Sequence, residues 1–133
     1  MGTKFKNYNF ELNYRLQTLD ISFAKYLLPE GLLDYFDIVS DKTENEKVHF
    51  YLEEKNILPE EYKSERAKSK GFIPEITIED FPLRGKPVLL HVKRRRWTLV
   101  KNGLIIKRDW SLVANGTRIT SKFASFLKGI IRY

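Results

Sequence analysis

The run Lys93-Arg94-Arg95-Arg96-Trp97 is the strongest chemical signal in this sequence. It follows a segment in which Val88, Leu90 and Val92 recur at every second position, the pattern of a strand. Because adjacent like charges repel, four consecutive cations are costly unless an anion neutralises them. Phosphates do so, and the counterions that they release supply affinity. The alternative is an edge strand protected against aggregation by charge. We favour the phosphate-binding interpretation.

Strand geometry divides this run between two faces, because successive side chains point to opposite sides. Arg94 and Arg96 are expected on the face of the preceding apolar row. Lys93, Arg95 and Trp97 are expected on the other face. Arginine also has the planar fork that contacts a guanine edge through two hydrogen bonds.

A second basic segment, Lys107-Arg108-Asp109-Trp110, lies beyond Asn102-Gly103, a dipeptide typical of tight hairpins. We therefore predict a hairpin of Pro87–Trp97 with Leu104–Trp110. The two tryptophans have two interpretations. They are either stacking platforms for a single strand or core residues with hydrogen-bonded indole N–H groups. We favour the core.

Further cations extend the candidate surface. Arg84 and Lys86 belong to a predicted turn over residues 82–86, placed to touch a sugar-phosphate backbone, and Arg118 and Lys122 flank the start of a predicted terminal helix. The candidate nucleic-acid-binding residues are Arg84, Lys86, Lys93, Arg94, Arg95, Arg96, Trp97, Lys107, Arg108, Arg118 and Lys122.

Other chemistries have little support in the residue types. The 133-residue chain has no cysteine, and His49 and His91 alone make a poor metal site, so we expect no metal and no cofactor. There is no glycine-rich loop to cradle phosphates. Asp80 stands in a turn-like Glu-Asp-Phe-Pro segment, which favours a structural role. We expect no catalysis by this chain alone.

The net charge of +7 is unevenly distributed. Residues 1–66 hold 9 Lys/Arg and 13 Asp/Glu, whereas residues 67–133 hold 15 and 4. Such a basic half indicates a partner that presents phosphates. Solubility would not require the signs to be segregated. We expect five to eight phosphate contacts and hence a slope of roughly −4 to −7 in log K against log salt.

Hydrophobic periodicity predicts an α+β fold. An N-terminal arm (1–15) precedes one domain (16–133), whose acidic half is 16–66 and basic half 67–133. Helices are expected from Leu16 to Leu28 and from Pro29 to Phe36. Hairpin strands follow at 36–40 and 47–53, then an exposed charged helix or loop at 54–73, an antiparallel meander containing the long basic hairpin, and a C-terminal amphipathic helix capped by Thr117 or Thr120.

One stretch carries a family pattern, Glu79-Asp80-Phe81-Pro82-Leu83-Arg84-Gly85-Lys86-Pro87-Val88 followed by Lys93–Trp97. It resembles the N-terminal region of bacterial insertion-sequence transposases of the ISL-three class. Leu27–Phe36 looks like the start of the ISAon-type branch, and Gly116–Ala124 resembles the segment that closes the region. The resemblance covers roughly residues 16–130. It implies a DNA-binding module that recognises the terminal repeats of an insertion sequence.

The chain departs from that pattern in one respect. In the wider class this region is a zinc ribbon with two cysteine pairs, whereas here Thr98 follows Trp97 and no cysteine is present. The resemblance thus implies a ribbon that has replaced its metal by hydrophobic packing. The family's catalytic domain uses three carboxylates on a ribonuclease-H-like fold, for which this chain lacks the length and the residues.

The leading hypothesis is a duplex-DNA-binding module in the bacterial cytoplasm, associated with the nucleoid. A separately encoded catalytic transposase chain is a possible partner, and no membrane contact is expected. Two alternatives remain open: a non-catalytic protein-interaction subunit that docks through its acidic half, and an RNA-binding regulator.

Overall fold

A computed structural model describes residues 25–116 and 119–133 and has the α+β architecture expected from the sequence. The helices are α1 (Leu32–Tyr35), α2 (Trp110–Gly116) and α3 (Ser121–Ile131), with a 3-10 turn at Glu60–Tyr62. The strands are β1 (Phe36–Glu44), β2 (Lys47–Glu54), β3 (Ala67–Phe72), β4 (Ile76–Leu83), β5 (Lys86–Lys93), β6 (Arg95–Leu99) and β7 (Ile105–Lys107).

Some expectations fall on residues outside that description. The arm over residues 1–15 and most of the helix predicted from Leu16 to Leu28 cannot be compared, although residues 25–27 are helical. Thr117 and the candidate site residue Arg118 also lie outside it. No helix among residues 25–116 and 119–133 has the length and apolar character needed to cross a membrane.

Two hairpins form a four-stranded sheet in the order β1-β2-β5-β4. Within each hairpin the strands are antiparallel, but the central β2 and β5 are parallel. The sequence predicted no pairing between β2 and β5; the antiparallel meander was expected in the basic half, where β4 pairs with β5 and β6 with β7 in antiparallel fashion. A parallel pair needs a long crossover connection, which residues 55–85 supply by passing through β3 and β4.

Tight turns close both hairpins. Asn45 and Glu46 have φ angles of 53° and 64°, and Arg84 and Gly85 have φ angles of 49° and 79°. Two successive positive φ angles belong to the turn type whose twist matches paired strands. The turn predicted over residues 82–86 is confirmed. The loop predicted over residues 41–46 is shorter than expected, because β1 runs on to Glu44.

A three-stranded antiparallel sheet, in the order β3-β6-β7, adjoins the first. Strands β5 and β6 are one run interrupted at Arg94, so the chain passes directly from one sheet into the other. The prediction of a helix or loop over residues 54–73 was wrong for β3, which is a strand. That strand carries Lys68, Ser69 and Lys70, all exposed, so its sequence lacks the apolar alternation that identifies a half-buried strand.

The predicted basic hairpin is confirmed only in its outer part, where Arg96–Thr98 pairs with Ile105–Lys107. Strand β5 pairs with β2 and β4 instead. The chain leaves the sheet after Lys107 because Asp109 caps α2, its Oδ1 accepting a hydrogen bond from the N–H of Ser111 at 2.9 Å. Trp110 therefore begins a helix and does not end a strand.

The main core lies between the four-stranded sheet and α3. The predicted row Val88, Leu90 and Val92 is buried, as are Phe123, Phe126, Leu127 and Ile130 of the predicted helical stripe, whereas Ile131 is exposed. Thr120 caps α3 by accepting from the N–H of Phe123 at 3.2 Å. At Gly129 an added Cβ would lie 2.9 Å from Ile78, so glycine allows α3 to approach β4.

Candidate nucleic-acid interface

The three-stranded sheet has one apolar and one basic face. Trp97, Leu99 and Ile106 are buried on its inner side. On the outer side, Arg96 pairs with Lys107, and Thr98 lies between its register partners Lys68 and Ile105. We call these five outer residues the basic face: Lys68, Arg96, Thr98, Ile105 and Lys107.

Positive charge on the basic face is not balanced locally. None of its five strand positions holds an acid, and Lys68 and Lys107 are exposed. Arg96 lies directly opposite Lys107, a like-charge pairing that disfavours the sheet. The Nε of Arg96 is enclosed and has no hydrogen-bond partner among the described residues. Lys70, exposed in the irregular part of β3, adds a further cation beside this face.

A buried carboxylate joins the two sheets where β5 becomes β6. Glu54 is 1% exposed; its Oε1 accepts from the backbone N–H of Arg95 at 3.0 Å and its Oε2 accepts from Nε of Arg108 at 2.9 Å. Burial raises the pKa of Glu54, against the lowering effect of the hydrogen bonds from Arg95 and Arg108. Glu54 therefore holds the end of β2, the start of β6 and the segment after β7 together.

Arg95 and Arg108 are both used inside the protein. Nε of Arg95 donates to the backbone carbonyl of Glu54 at 3.0 Å, and its guanidinium lies 4.6 Å from the ring centre of Phe72. Arg108 donates to the carbonyl of Ile57 as well as to Glu54, and its side chain is 9% exposed. Both arginines were expected to bind nucleic acid. Their hydrogen bonds instead join the two sheets.

A cleft of about 270 Å³ opens beside this junction. Its charged lining residues are Glu54, Arg94, Arg95, Lys107, Arg108 and Asp109. Arg94 is 7% exposed, and its Nε has no hydrogen-bond partner among the described residues. Burial lowers the pKa of Arg94, partly offset by the charge of Glu54. Lys107 links the cleft to the basic face, because it belongs to both.

The remaining candidate cations are spread over the molecule. Arg84 and Lys86 lie at the β4–β5 turn, and Nζ of Lys122 lies 5.6 Å from the ring centre of Phe81 on β4. This group is at the opposite end of β5 from Lys93, about 23 Å away at the usual rise per strand residue. The seven other described candidates therefore do not share one surface with these three, and Arg118 lies outside the described residues.

The expected division of the basic run between two faces holds up to Arg94 and was wrong for Arg96, which lies on the outer side of the three-stranded sheet because the chain passes into that sheet at Arg94. Lys93 lies on the outer side of the four-stranded sheet, 4.0 Å from Glu53. Arg94 continues the buried row of β5 as predicted. Trp97 is 1% exposed and its indole N–H donates to Oδ1 of Asn56 at 2.8 Å. Trp97 thus presents no ring face to a ligand, and the core interpretation is confirmed for Trp97; for Trp110 the structure confirms the burial.

Sequence reasoning missed Lys68, Lys70 and Glu54. The two lysines were hidden in the charged segment whose strand character was not recognised. Glu54 carried a usable signal, because it continues the inward row of Phe50 and Leu52 on β2. A charge that occupies the next inward position of an apolar row predicts a buried ion pair.

The two histidines lie together on the outer side of the four-stranded sheet. Nδ1 of His49 is 2.8 Å from Nε2 of His91, and the His91 ring stacks on Tyr51 with centroids 4.5 Å apart. Burial lowers the pKa of His91, against the raising effect of Glu75. Within the described parts of the chain, no three metal-ligating side chains come together.

In comparisons with known proteins, no family model, no curated protein and no solved structure matches this chain.

Proposed function

We propose that this chain is a nucleic-acid-binding module that holds duplex DNA against the basic face. The observation that carries the proposal is the unbalanced charge of that face, where Arg96 and Lys107 lie side by side with no acid among the five strand positions. Such an arrangement costs stability in the free protein. A phosphate backbone would remove that cost and would gain affinity from released counterions.

Duplex DNA fits this face better than a single strand does. Single-strand binders combine cations with aromatic rings on which bases stack. The five positions of the basic face hold no aromatic residue, and both tryptophans near it are buried. The face therefore offers cations, a hydroxyl from Thr98 and an aliphatic side chain from Ile105, a set suited to phosphates and groove walls.

In biological terms, the proposed module serves a bacterial transposase of the class that the sequence resembles. Its DNA would be the terminal repeats of an insertion sequence. Catalysis would belong to a separate chain, and the complex would work in the cytoplasm on the nucleoid. The support for this part is the motif from Glu79 to Val88 together with the basic run that follows it.

The test is a paired substitution on the basic face. Lys68→Ala with Lys107→Ala removes two exposed cations, neither of which is seen in a hydrogen bond or ion pair within the described chain. If the four cations Lys68, Lys70, Arg96 and Lys107 each neutralise one phosphate, the slope of log K against log salt is about −4 for the native protein. It falls to about −2 in the double variant by the same relation.

The matched control removes two exposed lysines elsewhere, Lys47→Ala with Lys128→Ala, and should leave the slope near its native value. Binding is measured by fluorescence anisotropy with a labelled duplex, a single strand and a double-stranded RNA. A double variant that binds duplex DNA as the native protein does would refute the proposed face. Equal preference for RNA would favour the RNA-binding alternative, and no binding to any of the three would favour the protein-interaction alternative.

A further inference from the structure

We infer that the cleft at the sheet junction is a seat for a single phosphate group, held by Arg94 and Lys107. The inference deepens the proposed function and rests on it for the biological source of that phosphate. What the cleft can bind depends on which of its charged groups already have partners and which do not.

Both acids that line the cleft are engaged. Glu54 accepts one hydrogen bond on each carboxylate oxygen, from Arg95 and from Arg108. Asp109 accepts the N–H of Ser111 at the start of α2. Neither carboxylate accepts a hydrogen bond from Arg94. The negative charge in the cleft is therefore committed to holding the fold.

Two of the four cations are engaged as well. Arg95 donates to Glu54 and to Ser69, and Arg108 donates to Glu54 and to Ile57. Arg94 and Lys107 are left without a hydrogen bond or an ion pair from their side chains to any described residue. The unused donors of the cleft are thus a buried guanidinium and an exposed ammonium.

The burial of Arg94 makes its lack of partners informative. It is 7% exposed, and an enclosed charged donor without a partner costs more than a normal hydrogen bond contributes. Buried polar groups of this kind are rare and call for a ligand or another explanation. A tetrahedral oxyanion offers acceptor oxygens to both Arg94 and Lys107 at once, and such charge-assisted bonds are the strong ones.

The position of the cleft favours a phosphate over a carboxylate. Lys107 contributes to the cleft and to the basic face, so the cleft continues the surface on which we place the DNA backbone. A phosphate that follows the backbone across the basic face would reach Arg94 next. The cleft is also large enough, at about 270 Å³, for more than an ion alone.

The first experiment measures phosphate binding on the full chain without DNA. In a titration with inorganic phosphate, the side-chain Nε–Hε NMR resonance of Arg94 should shift with saturation. The melting temperature should rise by about 5 °C at ten times the dissociation constant. Arg94→Met, which lacks that resonance, should abolish the rise in melting temperature, whereas Arg66→Met, at an exposed arginine outside the cleft, should keep both responses.

Arg94→Met also separates a binding role from a structural one. If Arg94 is retained for a ligand, removal of its unpartnered charge leaves the melting temperature in phosphate-free buffer unchanged or higher. A lower melting temperature together with an unaltered phosphate response would overturn the inference. Should Arg94→Met fail to fold, Arg94→Lys keeps the charge but not the fork, and the inference then requires at least a tenfold weaker phosphate affinity.

The second experiment identifies the source of the phosphate. One duplex carries a 5′-phosphate and an otherwise identical duplex carries a 5′-hydroxyl. A preference of tenfold or more for the phosphorylated end, lost in Arg94→Met, assigns a terminal phosphate. Equal affinity for both duplexes, weakened alike in Arg94→Met, assigns an internal phosphodiester. No weakening with either duplex refutes the seat.

These outcomes are separable from those of the basic face. Because Lys107 belongs to both sites, Lys68→Ala alone reports on the basic face. If Lys68→Ala weakens DNA binding while Arg94→Met does not, the proposed function stands and the seat is rejected. If Lys68→Ala binds DNA normally, the basic face is rejected, and the phosphate titration of Arg94 still decides the seat.

Discussion

The two sheets of this protein are stabilised in different ways. The four-stranded sheet is covered by α3 and shares with it a large apolar core that includes Leu90 and Leu127, both almost fully buried. The three-stranded sheet buries only Trp97, Leu99 and Ile106, and it depends on polar links to Asn56 and Glu54. The small sheet therefore gains little stability from apolar burial. Its outer side carries the charged residues of the basic face.

The largest expected effect tests how much the small sheet depends on one side chain. Trp97→Ala removes the largest side chain of a three-residue core and its hydrogen bond to Asn56. We expect the free energy of unfolding to fall by about 4 kcal/mol. Urea denaturation followed by far-UV circular dichroism measures it.

Trp97→Phe serves as the control, because it keeps an aromatic ring and loses chiefly the indole N–H, at a cost of about 1 kcal/mol. If Trp97→Ala cost no more than Trp97→Phe, the small sheet would not depend on this core, and the contrast between the sheets would be wrong.

The next effect concerns the polar link between the sheets. Glu54→Ala leaves Arg108, which is 9% exposed, without its carboxylate partner. Removing one member of a buried pair is strongly destabilising, and we expect a loss of about 3 kcal/mol in the free energy of unfolding. The double variant Glu54→Ala with Arg108→Met should recover part of that loss, because the unpaired charge of Arg108 is then removed as well.

A thermal unfolding series across these variants gives the coupling between Glu54 and Arg108. Additive effects of the two substitutions would show that the pair does not act as a unit.

The smallest effect is a pH dependence on the outer side of the four-stranded sheet. Burial lowers the pKa of His91 below 6.5, although Glu75 opposes the shift; His49 and Lys42 also lower it. A histidine with a lowered pKa binds its proton more weakly in the folded state, so stability falls as the pH drops below 6.5. We expect that fall in the native protein and not in His91→Phe, which keeps a ring against Tyr51.

The measurement compares the two proteins, because other groups titrate in the same acid range. Burial raises the pKa of the Glu54 and Asp80 carboxyls, and this contributes in the opposite direction as the pH falls. Both proteins contain these carboxyls, so the difference between the two pH profiles isolates His91. Parallel profiles would contradict the assignment.

The success of sequence prediction depends on whether a feature is set by neighbouring residues or by residues far apart along the chain. Local patterns sufficed for β5, the Asn102-Gly103 turn and α3, because apolar alternation, a turn dipeptide and a helical stripe are short-range signals. They did not predict the parallel pairing of β2 with β5, which joins residues about forty positions apart. They also missed β3. Before the irregularity at Ser69, Ala67 is its one apolar inward residue and Lys68 points outward, so the apolar alternation of a strand is absent.

For the candidate site, the sequence identified Arg94, Arg96 and Lys107 by their residue type and by their position in runs of basic residues. It did not distinguish them from Arg95 and Arg108, whose hydrogen-bond partners come from β2 and the segment after it. Partners so distant along the chain are set by tertiary packing. Lys68 entered the site only once β3 was paired with β6.

The continuous run from β5 through Arg94 into β6 has a consequence for how the protein opens. When one sheet loses its strand pairing, a strand shared by both sheets couples that opening to the other sheet. We therefore expect that neither sheet opens while the other keeps its hydrogen bonds. Amide protons of Val92 and Leu99, on either side of the junction, should therefore exchange with solvent through the same cooperative opening. The molecule would present its charged surface at a constant angle to its helical layer for as long as it remains folded.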